Sequence, residues 1–412
     1  MSSIDNRNED EIDELLYSNP EDIGSEDEDD ITQDSLTFNQ AVIWGTDWTA
    51  ETIDNQLKRS NIDLFPNFQR RDAWSNKAKS KFIESLILGL PIPQIILAEK
   101  QTSRGKYIVI DGKQRLLTIR RFFSEKQDDN FQPLRLIGLD ILTHLNGKTY
   151  KTMKNSVEFA DEISQLENQS IRTTIIKNWP NESFLYTVFL RLNTGSIKLN
   201  PQELRQALHP GPFIDFADEF SITSEGIQKM LNLKKPDYRM RDVEMVIRFF
   251  STKYYLSKYE GNLKKAFDET VKNLNDSWAR NENKIKNDAN NLDRAILFTI
   301  DLFGGVRHAF SKWNGKTFQN NFNRAIFDIM VYYFSSPEVL EKANEKKEEI
   351  INEFKHLCES DNSFLASFEH TTKSMDNTFK RLTTWGEALA KHIDIPVLVP
   401  YYNEGKFVEK QV

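Results

Sequence analysis

The sequence predicts an α+β fold: a compact unit of helices and short strands, followed by an all-α helical domain. Three observations predict it. Within about eighty residues after Trp48, segments alternate between helical apolar spacing and short β-branched runs, in the order helix, helix, strand, strand, helix. Beyond Pro236 the long segments carry apolar residues at i, i+3, i+4, and none reads as a strand. A chain of 412 residues that is 39% apolar and 28% charged is also long enough to bury two cores.

Charge divides the chain before any element does. Residues 1–34 hold fourteen Asp and Glu against Arg7, a net of −13, whereas the whole chain carries −8, so the remainder carries +5. A segment this charged and this poor in apolar groups cannot offset its ordering entropy, and residues 1–38 are expected to be an acidic disordered tail. The sharper alternative is a tail that competes with nucleic acid for a basic groove. The single cysteine, Cys358, excludes an internal disulfide and a Cys-based zinc site. No apolar run approaches ~18 residues, and the N-terminus is acidic where a signal peptide would be basic and then apolar. A cytoplasmic protein with no membrane segment is expected.

The first domain is expected over residues 39–235. "TAETIDNQLKRSNI" places Ile53, Leu57 and Ile62 at helical spacing, and Pro66 in "DLFPNFQRRDAW" forces an extended segment next. "SNKAKSKFIESLILGLPIP" reads as a helix capped by Ser75 or Asn76, with Phe82, Ile83, Leu86 and Ile87 on one face and Gly89 and Pro91 as its stop. "QIILAEK" and "KYIVI" read as strands joined by the polar "QTSRG" turn, and Leu116–Phe123 as a helix. "LRLIGLDIL" and "SIRTTIIKNW" read as further strands. "ESFLYTVFLRLNTG" reads as a helix ending at Gly195. The next begins in "LNPQELRQAL", with Asn200 as N-cap, Pro201 at the first helical position and Glu203 as the capping-box acid. The helical domain is expected over 236–412, in "RDVEMVIRFFSTKYYL", "NRAIFDIMVYYF", "PEVLEKANEKKEEIINEFKHLC" and "TFKRLTTWGEALAKHI".

The chemistry concentrates in "KYIVIDGKQRLLTIRRFF". A strand feeding a glycine turn and then a helix gathers the free backbone N–H groups and the partial positive charge of the helix start at one point, which attracts anions. Lys113 and Arg115 can neutralise a phosphate there, Gln114 can hydrogen-bond one, Gly112 lets the backbone approach, and Asp111 can hold a magnesium ion or orient water. Ordinary solvated charges on a turn would look the same in isolation.

The surroundings add to it. "FPNFQRRDAWSNKAKSKFIESLILGLPIPQIIL", "YIVIDGKQRLLTI", "FLRLNTGSIKLNPQELRQAL" and "YRMRDVEMVIRFF" resemble, in order and spacing, the N-terminal-domain family of GmrSD-type modification-dependent restriction enzymes, across roughly residues 45–255 by the length of such a domain. The resemblance implies a ParB/sulfiredoxin-like core whose DGQQR motif binds and hydrolyses nucleoside triphosphates, with Mg2+, in systems that defend bacteria against foreign DNA. Asp111, Gly112, Gln114 and Arg115 match that motif, and Lys113 stands where the family carries Gln, which leaves hydrolysis less secure than binding. Asp111, Gln114 and Arg115 are thereby expected to be catalytic. Gln69 and Arg70 match the upstream motif and could reach the same phosphates, together with Gly112 and Lys113, while Trp74 packs in the core. Asn193 and Thr194 either contact the ligand or only cap a helix. Arg205 is expected to face the cleft. Arg241, Asp242, Glu244 and Arg248 alternate in sign as an interdomain salt network would.

Relatives often carry an HNH nuclease, which needs a metal-activating His and a second ligand. The six histidines here are scattered, and none follows His392. No Walker loop, HExxH pair or GxSxG elbow occurs either. The expected function is a nucleotide-binding, NTP-hydrolysing, DNA-sensing component of a restriction-type defence system, cleavage being left to a separately encoded partner nuclease. The alternative is a non-catalytic DNA-binding adaptor that recruits such a nuclease. Association into a homo-oligomer stays open.

Overall fold

In a computed structural model, the structure describes residues 41–62, 64, 73–124, 131–182, 184, 185, 187, 188, 201–369, 372–403 and 406–412. Gln69, Arg70, Asn193, Thr194 and the acidic tail lie outside them. Contacts divide the described chain into an α+β unit, up to Pro210 together with Pro236–Met240, and a helical unit formed by Gly211–Lys235 and Arg241–Val412. The sequence had suggested a boundary at 235. Helices within 212–230 instead bury Phe213, Ile214, Ala217 and Ile227 in the helical unit.

The α+β unit is built on a four-stranded sheet. Its strands are β1 (Val42–Thr49), β2 (Ile95–Glu99), β3 (Tyr107–Asp111) and β4 (Ser170–Lys177), in the order β1-β4-β2-β3. β2 runs parallel to β4, and the two outer pairings are antiparallel. The helices α1 (Ala50–Lys58), α2 (Asn76–Ile87), α3 (Lys113–Phe122), α4 (Tyr150–Lys154) and α5 (Ala160–Asn168) come before β4, and α6 (Pro201–Leu208) follows it. Ser75 does cap α2, its Oγ accepting from Ala78 N at 3.2 Å. β2 is buried along four of its five residues, which is why "IILA" is apolar without alternation. On one face Ile96, Ala98, Ile108, Ile110 and Ile176 form a core with Trp179, Phe184, Leu185 and Leu204, and this core seats α6 against β3. Trp179 is tied to β2 by its indole N–H, which donates to the Glu99 carbonyl at 2.7 Å. α1 and α3 are tied by Asp54, buried between Lys58 at 2.6 Å and Arg120 at 3.4 Å. Burial pushes the Asp54 carboxyl up from the usual carboxylate range, against both cations.

Two expectations fail here. "VIWGTDWT" is an eight-residue edge strand, β1, that the sequence reading passed over: its residues are mostly exposed, so the apolar alternation of a half-buried strand is missing. "LRLIGLDIL", expected to be a strand, pairs with none. Four of its backbone donors go to α2 instead: Ile137 N to Ser80 Oγ at 2.9 Å, and Asp140, Ile141 and Leu142 N to the Glu84 carboxylate at 3.2, 2.8 and 2.7 Å. A buried carboxylate presented to three successive N–H groups satisfies the loop as well as a strand partner would.

The helical unit comprises α7 (Pro212–Thr223), α8 (Glu225–Met230), α9 (Arg241–Tyr255), α10 (Leu263–Leu302), α11 (Arg324–Phe334), α12 (Pro337–Glu345), α13 (Lys347–Ser360) and α14 (Met375–Ala390), with three shorter helical turns among the described residues. The 40-residue α10 is its spine, touching α7, α8, α9, α11 and α12. Trp385 of α14 is fully buried, edge-on to Phe354 at 5.5 Å. The sequence reading denied any strand in this half, but Leu398–Asn403 (β5) and Lys406–Gln411 (β6) pair antiparallel. Pro400 within β5 lacks a backbone donor, which a two-stranded ribbon tolerates. Gly386 explains how β5 sits on α14: a Cβ there would collide with Tyr333 and Val399.

Glu84→Ala is expected to cost roughly 2–4 kcal/mol in urea denaturation, because three N–H groups lose one buried, charged acceptor at once. Cys358 is buried, and burial pushes its thiol up to about 12. It should therefore resist thiol reagents at pH 8 until the helical unit unfolds. Fast labelling of the native protein would contradict its placement.

Candidate functional site

The site is the junction of β3 and α3. Ile108 and Ile110 are fastened in the sheet core, so the strand ends rigidly at Asp111. The register slips between Ile96 and Leu97, placing Asp111 rather than Ile110 opposite Ile96, and this irregularity bends the strand as it enters the turn. Gly112 then reverses the chain in one residue, at φ 98° and ψ 11°, and its carbonyl already accepts from Leu116 N at 2.9 Å. A side chain is excluded twice over. The φ is strained for any other residue, and a Cβ would stand 3.1 Å from Ile95 and 3.2 Å from the Arg115 guanidinium. Gly112 offers no side-chain cap to α3.

Three side chains leave this corner in three directions. Arg115 folds back across it: Nη2 donates to Asp111 Oδ2 at 2.8 Å and to the Gln94 carbonyl at 3.0 Å. Its side chain is 11% exposed and that of Asp111 28%, so the carboxylate is the open member of the pair. Arg115 Nε is buried with no hydrogen-bond partner among the described residues. Gln114 points instead toward the chain upstream of α2, where its Oε1 accepts from Trp74 N at 3.4 Å, and the Trp74 carbonyl accepts from Lys79 Nζ. Trp74 itself packs edge-on to Phe82 at 5.6 Å, as expected of a core residue.

Lys113 is placed differently from a cation presented to phosphate. It is 6% exposed and donates to Glu203 Oε1 of α6 at 2.6 Å. The pairing follows from packing: Leu204 is anchored in the sheet core, and its neighbour Glu203 is thereby delivered to Lys113. The sequence assigns Glu203 mainly to helix capping, and the structure adds this ion pair. Arg205, expected to face the cleft, is 2% exposed and donates to Gln202 Oε1 at 2.7 Å. Within the helical unit, Glu244 accepts from Arg324 at 3.2 Å and Arg248 pairs with Asp328 at 3.3 Å.

Lys79 and the Gln94 carbonyl escaped the sequence reading. Lys79 left a signal, since it occupies the apolar face of α2 at i to Phe82 and Ile83 and is 1% exposed. The Gln94 carbonyl left none, because a backbone acceptor has no letter of its own.

The described chain is thus an α+β domain with a charged strand-to-helix corner, accompanied by a helical unit. Residues 51–210 match the GmrSD restriction endonuclease, N-terminal domain, and this segment belongs to that domain family. The match runs from the first turn of α1 to the end of the first stretch of the α+β unit, so the corner and α6 both lie inside it. No curated protein and no solved structure matches the chain. Among the described residues no helix is long and apolar enough to cross a membrane, and no cluster of three or more His, Cys, Asp or Glu could hold a metal.

Removing Glu203 takes a carboxylate away from a buried lysine. Glu203→Ala should cost about 3–5 kcal/mol, whereas the double change Lys113→Met, Glu203→Leu should recover most of it. Urea denaturation of the single and double variants checks this, and equal losses in both would show that the pair does not govern stability.

Proposed function

We propose that this protein is a nucleotide-binding component of a bacterial restriction-type defence system, which hydrolyses NTP at the Gly112 corner, senses DNA, and leaves cleavage to a partner nuclease. The single observation that carries the nucleotide reading is Arg115: a nearly buried guanidinium with an unpartnered Nε, at the uncapped start of a helix. Such a group is prepared for an anion that would take over from Asp111. Family membership of residues 51–210 supports the restriction context, and a ParB/sulfiredoxin-like core belongs to the same reading.

The geometry supports the following roles. Arg115 neutralises phosphate and, in turning to it, releases Asp111. Asp111, the most exposed carboxylate of the corner, then serves as the one protein ligand for Mg2+ or as the group that orients water. Mg2+ is commonly held by one carboxylate together with substrate phosphates, so the residues present fit it, and the ion would supply charge neutralisation between phosphate oxygens. Gln114 is a positioning residue, tying the Trp74 backbone to the corner, and Gln69 and Arg70 belong to the proposed binding set. Lys113, held by Glu203, contributes its charge at second hand, and Asn193 and Thr194 complete the proposed binding set.

A second reading has its own support. Asp111, Lys113, Arg115 and Glu203 sum to zero charge and are already paired, which suits a weak backbone-phosphate contact by a DNA-binding adaptor as well as a triphosphate grip. A thermal-shift screen of the four NTPs with Mg2+, repeated on Arg115→Ala, separates the two. Nucleotide at about 100 Kd should raise Tm by roughly 5 °C or more in the wild type and leave the variant unmoved. Equal shifts in both proteins would overturn the assignment of Arg115. Steeply salt-dependent DNA binding with no nucleotide effect would establish the adaptor instead.

A further inference from the structure

Among the described residues, the sheet face that carries Ile96, Ala98 and Ile176 is packed over at one end and open at the other. Residues directly opposite in neighbouring strands share a face, so Gly45 and Asp47 of β1, with Thr174 and Arg172 of β4, continue that face beyond the core. Gln94, one residue before β2, joins them: its Oε1 accepts from Thr174 Oγ1 at 3.1 Å. Gly45, Asp47, Gln94 and Arg172 are exposed, and Thr174 is half-buried. A polar shelf begins where the apolar core ends.

The shelf adjoins the Gly112 corner through Gln94, whose carbonyl accepts from Arg115 at 3.0 Å while its side chain holds Thr174. The register sets Asp111, Ile96, Thr174 and Gly45 in one row across the four strands. At about 4.8 Å per strand, roughly 14 Å separates the first from the last, a span that an extended nucleoside triphosphate covers.

Gly45 is the residue that the fold does not explain. It lies within β1, where glycine weakens a strand, yet neither conformation nor packing calls for it. Its φ is not left-handed, β4 pairs past it without a register shift, and among the described residues a Cβ would meet only Arg172 Nη1, at an ordinary 3.8 Å. Glycine inside a strand otherwise marks a place where a ligand approaches the backbone closely. The neighbours of Gly45 suit a flat polar group. Arg172 pairs with Asp47 at 3.2 Å, but the two side chains are 61% and 48% exposed, so the pair is weak enough to yield, and a guanidinium plane stacks on an aromatic ring. The Gln94 amide and the Thr174 hydroxyl each offer both a donor and an acceptor.

We propose that this shelf seats the nucleoside of the nucleotide whose phosphates the Gly112 corner holds. The base lies over Gly45 beside Arg172, and Gln94 and Thr174 hydrogen-bond its polar edge. The inference rests on the nucleotide reading of the corner and assigns its selectivity among nucleotides to the shelf.

The test titrates the full chain calorimetrically with the four NTPs and with inorganic triphosphate, each with Mg2+. Gly45→Val should keep the fold, since valine suits a strand better than glycine. It should weaken binding of the preferred NTP by about tenfold or more and leave inorganic triphosphate unchanged. Should that variant fail to fold, Gln94→Ala removes only an exposed side chain and keeps the carbonyl that Arg115 uses. It should weaken the NTP roughly threefold to tenfold, again sparing triphosphate. An unchanged NTP affinity in either folded variant overturns the shelf, and if Arg115→Ala still abolishes binding, the reading of the corner survives without it. Equal weakening of NTP and triphosphate would also overturn the shelf, because the damage would then lie at the corner. A wild type that binds neither removes the nucleotide reading of the corner, and the shelf with it.

Discussion

The α+β unit depends on a reversal made within one residue. β3 is held by its isoleucines in the sheet core, α3 must begin at once, and only the left-handed backbone of Gly112 joins them. Every feature of the site follows from that constraint. Asp111 is the last residue the strand can place, and Arg115 stands far enough along the first helical turn to reach back to it. Lys113 and Gln114, lying between, are turned away toward two different supports.

Those supports make the corner a meeting point of distant chain segments. Trp74 and Lys79 reach it from forty and thirty-five positions upstream of Gln114, and Glu203 comes from ninety positions downstream of Lys113. Each contact is a hydrogen bond to a charged or buried group, where geometry is strict and a vacancy is costly. The arrangement prepares charge while holding it in balance. Both cations of the corner have carboxylates, and the more exposed pair is the one that a ligand can compete for.

The helical unit handles charge by a different rule. Its arginines are buried among helices that aromatic packing already holds together, as in the Trp385 and Phe354 contact. Glu244 meets Arg324, and Arg248 and Arg381 both approach one oxygen of Asp328. Packing alone does not require such residues there, and apolar side chains of similar volume would be at least as stable.

Much of this was legible in sequence. The apolar runs of β2 and β3, the caps of α2, the amphipathic helices beyond Pro236 and the glycine corner with its polar letters are local matters, decided by φ preference, capping and burial period. Charge partners were not legible. Sign alternation in "RDVEM" suits a network anywhere, and only packing assigned Glu244 and Arg248 to partners eighty residues away in the same unit. "LRLIGLDIL" has the composition of a strand, and the tertiary structure overruled it because Glu84 offered its backbone an alternative acceptor. "VIWGTDWT" lacks the apolar pattern of a strand and became one because β4 had an open edge. The sequence by itself determined where the chain turns and which faces are apolar, since those depend on neighbouring residues. Which charges meet, and whether a cation is free or already neutralised, was decided only when the core brought Glu203 to Lys113 and Asp328 between two arginines.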